Sequence, residues 1–73
     1  MKAEEFVEGV YYTALKGFRA LDAKNNAVPI PKDARLAYLY LGKTVGRLRH
    51  FAFLHNGKRV DVSPLVIQNL KAL

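Results

Sequence analysis

The stretch His55-Asn56-Gly57-Lys58 constrains this chain more than any other. Asn-Gly is the preferred centre of a two-residue hairpin loop, because both central positions need positive φ. A loop placed there fixes a register by counting outward. His55 then faces Lys58, Leu54 faces Arg59, Phe53 faces Val60 and Phe51 faces Val62. Residues directly opposite one another share a face of the sheet. Phe51, Phe53, Val60 and Val62 therefore make one apolar face, while Ala52, Leu54, Arg59 and Asp61 make the other. All four residues of the first set are apolar, so turn chemistry and side-chain pattern agree.

Leu36–Leu41 could be helix or strand, and the alternation of Tyr38 and Tyr40 with Leu39 and Leu41 suits a strand before this hairpin. Gly42 and Gly46 bracket a short turn, GKTVG, and Arg47–Leu54 follows as the next strand. A three-stranded antiparallel meander results. Upstream, Phe6, Val7, Val10, Tyr11, Ala14, Leu15, Phe18 and Leu21 recur at steps of one, three and four, which predicts an amphipathic helix. Glu4, Glu5 and Glu8 suit its first turns, where the helix dipole favours anions. Gly9 and Gly17 each cost a helix about 1 kcal/mol relative to Ala, and a strand around Val10–Leu15 competes with it. Val28-Pro29-Ile30-Pro31 reads as an extended connector. Downstream, Ser63 as N-cap and Pro64 at the first position start a short C-terminal helix with a stripe of Val66, Ile67, Leu70 and Leu73. The expected fold class is α+β: N-terminal helix, small antiparallel β-meander, short C-terminal helix, in a single domain over residues 1–73.

Composition narrows the function classes. A 73-residue chain buries little surface and has a thin stability margin, yet 51% apolar residues are too many for a disordered tail. There is no Cys, so disulfides, zinc–thiolate sites and nucleophilic thiols are excluded. No apolar run approaches the roughly 20 residues that span a bilayer, and no membrane partner is expected. Glu4, Glu5 and Glu8 argue against a secretory signal, so a cytoplasmic location is expected.

Charge is distributed unevenly. Lys2, Lys16, Arg19 and Lys24 balance Glu4, Glu5, Glu8 and Asp22, so the whole net charge of +6 lies in residues 32–73. Between Asp33 and Asp61 there is no acid. The candidate binding residues are the cations of that gap: Arg35, Lys43, Arg47, Arg49, Lys58 and Arg59. An unneutralised positive stretch repels itself, and its use is to meet an acidic protein surface or a nucleic acid. The plainer reading is a solvated sheet edge guarded by Lys and Arg.

Other motifs carry less. Arg49-His50-Phe51-Ala52-Phe53-Leu54 approximates the central aromatic strand of the RNA-recognition motif, and Leu39-Tyr40-Leu41-Gly42 its second strand. His50 stands where that pattern needs Gly, the two segments come in the wrong order, and the hairpin register sends Phe51 and Phe53 into a core. His50 and His55 lack the further ligands a metal needs. Gly42-Lys43-Thr44 lacks the upstream spacing of a phosphate-binding loop. Ser63 is explained as a helix cap, and Thr13 and Thr44 have no base beside them in sequence. An enzyme is not expected, nor is any cofactor. Val7, Tyr11 and Tyr12 could belong to a protein-binding face, since Tyr is enriched at interface hot spots.

The opening MKAEEFVEGVYY, the basic stretch GKTVGRLRHFAFLHNGKRV and the overall size resemble the small lytic-bacteriophage proteins that bind bacterial RNA polymerase, of the Xanthomonas-phage inhibitor and antiterminator type. The resemblance covers the whole chain loosely. It implies a transcription regulator that binds the large polymerase subunits near the RNA exit channel, displaces sigma before elongation and promotes readthrough of intrinsic terminators afterwards. The alternative is a direct DNA- or RNA-binding module that uses the basic patch.

Overall fold

The computed structural model describes residues 6–73, and these form a seven-stranded antiparallel sheet with no α-helix. The strands are β1 (Tyr11–Ala14), β2 (Phe18–Leu21), β3 (Ala27–Ile30), β4 (Arg35–Val45), β5 (Leu48–His55), β6 (Lys58–Val62) and β7 (Leu70–Ala72). Their order across the sheet is β3-β2-β6-β5-β4-β1-β7. Among the described residues no helix is long and apolar enough to cross a membrane.

The expected α+β architecture is corrected at both ends of the chain. The segment expected as the N-terminal helix forms β1 and β2 instead, and the strand reading of Val10–Leu15 holds. Gly9 has φ +80°, which no right-handed helix accommodates. Tyr11, Tyr12, Thr13 and Phe18 are aromatic or β-branched, the types that suit a pleated surface. Apolar residues fall on both faces of this segment, so its spacing satisfies a helical stripe and a two-residue period alike. Glu4 and Glu5 lie outside the described residues. Val28–Pro31, expected as a connector, is mostly strand: β3 lies at the sheet edge, where Pro29 forfeits no ladder bond.

At the C-terminus the turn begins as expected and then stops. Ser63 Oγ accepts the Leu65 N–H (3.1 Å), and the Val66 N–H donates to the Ser63 carbonyl (3.1 Å). A 3₁₀ turn at Ile67–Asn69 follows, and Leu70–Ala72 then pairs with β1 as β7. A helix this short gains little alone. As a strand the same residues bury Leu70 opposite Ala14.

The hairpin register holds residue for residue: Phe51↔Val62, Phe53↔Val60, Leu54↔Arg59 and His55↔Lys58. Asn56 (φ 51°) and Gly57 (φ 76°) both take the positive values that the loop requires. The expected GKTVG turn is shorter than its glycines suggest. β4 runs through Gly42 to Val45, and only Gly46 and Arg47 form the loop, with Gly46 at φ 63°.

Two short connections force the sheet to curl. In a flat sheet β1 and β2 would stand four strand spacings apart, about 19 Å. Leu15 to Gly17 must bridge them, a reach of at most about 14 Å. Residues 31–34 face a similar demand between β3 and β4. The Asp33 N–H donates to the Ala14 carbonyl (2.8 Å), and the Ala14 N–H donates to the Ala34 carbonyl (2.9 Å). Two irregularities in β4, between Tyr38 and Tyr40 and between Leu41 and Thr44, add one residue each against β5 and bend the strand.

The inner face of the curl is the core: Tyr12, Ala14, Ala20, Ile30, Leu36, Phe51, Phe53, Val60, Val62 and Leu70. Phe6 packs into it ahead of β1. Its ring centroid lies 5.1 Å from Tyr12, 5.4 Å from Tyr38, 5.6 Å from Phe51 and 5.3 Å from Phe53. The Val7 N–H donates to the Tyr12 hydroxyl (2.8 Å), which fixes the entry of this segment. Burial pushes the Tyr38 phenol above its ordinary pKa.

Phe6→Ala removes the ring that touches four others, and it is expected to cost roughly 3–5 kcal/mol. Urea denaturation of the two proteins checks this. An unchanged midpoint would show that the segment before β1 is not part of the core.

Candidate functional site

The outer face of the sheet can be read row by row from the pairing. Thr13 on β1 stands between Lys71 on β7 and Arg35 on β4. The next row runs Tyr11, Ala37, Leu54, Arg59 across β1, β4, β5 and β6. The row after that runs Tyr40, Ala52, Asp61, Leu21 across β4, β5, β6 and β2. Cations, tyrosines and aliphatic residues thus interleave on one surface. Tyr11 is 54% exposed, Tyr40 49% and Leu54 38%.

Asp61 lies in the middle of this face and is only 1% exposed. Arg59 Nη2 donates to Asp61 Oδ1 (3.1 Å), and Lys43 Nζ stands 3.4 Å from Oδ2. The hydrogen bond to Asp61 is the main reason the Arg59 pKa lies above its ordinary value. Arg59 also lies over the Tyr40 ring, 5.1 Å from its centroid. Lys43 does a second job, donating to the Asp22 carbonyl (2.7 Å) and so tying the end of β2 to β4. Gly42 leaves the room that this arrangement needs. A Cβ there would meet Asp61 Oδ1 at 2.9 Å and the His50 carbonyl oxygen at 3.3 Å.

The six predicted cations are therefore divided among several places. Arg35 lies on the outer face beside Thr13. Lys43 and Arg59 hold Asp61. Arg49 Nε donates to the Gly42 carbonyl (2.7 Å), closing the second irregularity of β4. Arg47 sits in the β4–β5 loop, and Lys58 opens β6 beside the Asn-Gly loop. Among the described residues the ion pairs are the two at Asp61, so Arg35, Arg47, Arg49 and Lys58 keep their charge free of a carboxylate partner. Phe51 and Phe53 are core, 7% and 0% exposed, as the register required. Among the described residues no three His, Asp or Glu side chains converge as metal ligands would.

Sequence reasoning put Tyr11 on a helix face and missed Lys71 and Lys24. Tyr11 and Lys71 join the outer face because both chain ends are strands. Lys24 belongs to the half of the chain whose charge sums to zero. It lines a cleft of about 830 Å³ between the β2–β3 turn and the β5–β6 hairpin. Next to the cleft the ladder of β2 with β6 is the pair Leu21 and Asp61. Asp22, also in its wall, accepts the N–H groups of Asn26 (2.9 Å) and Lys24 (2.8 Å) at Oδ1, and the Asn26 bond above all lowers its pKa.

No protein-family model matches the chain, and no curated protein or solved structure matches it.

Losing both cations strands a buried carboxylate, whereas losing the carboxylate leaves two cations that can reach water. Lys43→Met with Arg59→Met is therefore expected to cost roughly 3–5 kcal/mol, and Asp61→Asn clearly less. Thermal and urea melts of the three proteins decide the order, and a reversed order would refute this account. Gly42→Ala is expected to cost about 1–3 kcal/mol in the same assay, because the buried carboxylate has to move.

Proposed function

We propose that this chain is a small non-enzymatic transcription regulator that binds the large subunits of bacterial RNA polymerase in the host cytoplasm. In this reading it displaces sigma, inhibits initiation and promotes antitermination by occupying a surface, with no cofactor and no chemistry of its own. The polymerase as partner rests on the whole-chain resemblance to lytic-bacteriophage regulators. The observation that carries a docking role is the outer sheet face. There Arg35 and Lys71 flank Thr13, the next rows expose Tyr11, Leu54 and Tyr40, and Asp61 in the last of these rows is buried and paired with Lys43 and Arg59.

Such a face has the make-up of a protein interface: aromatic and aliphatic area at the centre, Arg close by, and positive potential seeking an acidic counterpart. Arg59 and Tyr40 come to it pre-ordered, since Asp61 holds the guanidinium and the guanidinium covers the ring. A side chain already fixed loses less entropy on binding. A partner surface bearing carboxylates around an apolar patch would satisfy both parts.

Co-purification with core RNA polymerase from bacterial lysate is the expected result, and it persists after nuclease treatment. The triple variant Tyr11→Ala, Arg35→Ala, Lys71→Ala avoids the Asp61 cluster and should weaken the association by at least about tenfold, the equivalent of ~1.4 kcal/mol. Retention that vanishes with nuclease would replace this reading by direct nucleic-acid binding. Undiminished retention of the variant would remove the outer face from it.

A further inference from the structure

We propose that the cleft between the β2–β3 turn and the β5–β6 hairpin is a binding site for single-stranded nucleic acid. This site shares Arg59 with the outer-face docking surface but does not rest on polymerase binding. Its apolar lining includes Val28 and exposed Pro29 of β3, with Val60 of β6 only 2% exposed. Its basic lining is Lys24 of the β2–β3 turn and Lys58 and Arg59 at the start of β6. Asn26, His55 and Asn56 also line it and offer both donors and acceptors.

Each kind of lining residue matches one part of a nucleotide. Lys24 and Lys58 are exposed and have no carboxylate partner among the described residues, so both can neutralise phosphate. The exposed Pro29 ring suits the face of an unstacked base. The amides and the imidazole suit base edges and sugar hydroxyls, which present donors and acceptors together. An acidic peptide such as oligoglutamate would use the cations but offers no ring to set against Pro29. A duplex keeps its bases stacked and cannot insert one between two hairpin tips. At about 830 Å³ the cleft has the size of an ordinary small-ligand pocket, with room for a nucleotide or two.

The acid of the cleft does not close it to anions. Asp22 turns Oδ1 toward the amides of its own loop, with the Lys24 and Asn26 N–H groups as donors. Its backbone carbonyl is taken by Lys43. Arg59 stays partly exposed, with a side chain 40% accessible, while it holds Asp61. Arg59 thus belongs both to the cleft lining and to the pair it makes with Tyr40.

The test is fluorescence anisotropy of the full chain with labelled octanucleotides of uridylate and thymidylate, duplex RNA and an oligoglutamate, over a salt series. The single strands are expected to bind at low salt, and duplex and oligoglutamate at least about tenfold more weakly. Lys24→Ala with Lys58→Ala should lower single-strand affinity by about tenfold and reduce the slope of log K against log[salt] by about 1.4, two phosphates at about 0.7 each. Lys16→Ala with Lys32→Ala removes the same charge from exposed positions outside the cleft and should change affinity by less than about twofold. Whichever sugar binds more tightly names the strand, and either outcome supports the site. The proposal is overturned by absent single-strand binding, by equal losses from the two lysine pairs, or by duplex or oligoglutamate binding as tight as single strands. Melting curves of both variants show whether a loss of binding follows from unfolding.

Discussion

Leu15 to Gly17 must carry the chain across four strand positions of the sheet order, and the rest of the structure depends on that short reach. A flat sheet would place β1 and β2 too far apart for three residues to connect. The sheet therefore rolls, and its rolled interior is the only volume in which so small a chain can gather a core. Phe6 packs into that interior and touches Tyr12, Tyr38, Phe51 and Phe53, so aromatic rings account for much of the buried area. The irregularities of β4 belong to the same geometry. The added residues let β4 bend around β5, and the second places Gly42 and Lys43 opposite the middle of β5 and β6.

That placement shapes the electrostatics. Along the chain the cations from Arg35 to Arg59 form a block without an acid. In space Asp61 lies among them, because β6 returns antiparallel to β5 and sets Asp61 beside Ala52 and across from Gly42. One buried carboxylate then takes two of the cations. Lys43 and Arg59 become parts of the fold, while Arg35, Arg47, Arg49, Lys58 and Lys71 have no carboxylate partner among the described residues. Neutralising a set that includes Arg59 would therefore mix loss of stability with loss of binding.

How much was legible follows from how local each signal is. The Asn56-Gly57 loop fixed its own register and sorted both strands into faces, because positive φ at two consecutive positions leaves few alternatives. The same register placed Phe51 and Phe53 in the core against the attraction of an RNA-binding pattern. The segment from Phe6 to Leu21 carried no comparable signal. Its apolar residues satisfy two periods, and Tyr12 and Ala14 point inward only because Leu36 and Leu70 stand opposite. Ser63-Pro64 did open a turn, but a helix start says nothing about whether the next residues gain more by pairing with a distant strand.

The chain's own sequence determined one hairpin, its two faces, the absence of thiol chemistry and the excess of positive charge. Each of these is set by residues a few positions apart or by composition alone. Tertiary structure decided that both chain ends become strands, that Asp61 pairs with Lys43 and Arg59, and that Lys24 and Lys58 line one cleft. These outcomes depend on which strands become neighbours when the sheet curls, and strand neighbours far apart in sequence leave no mark at either position alone.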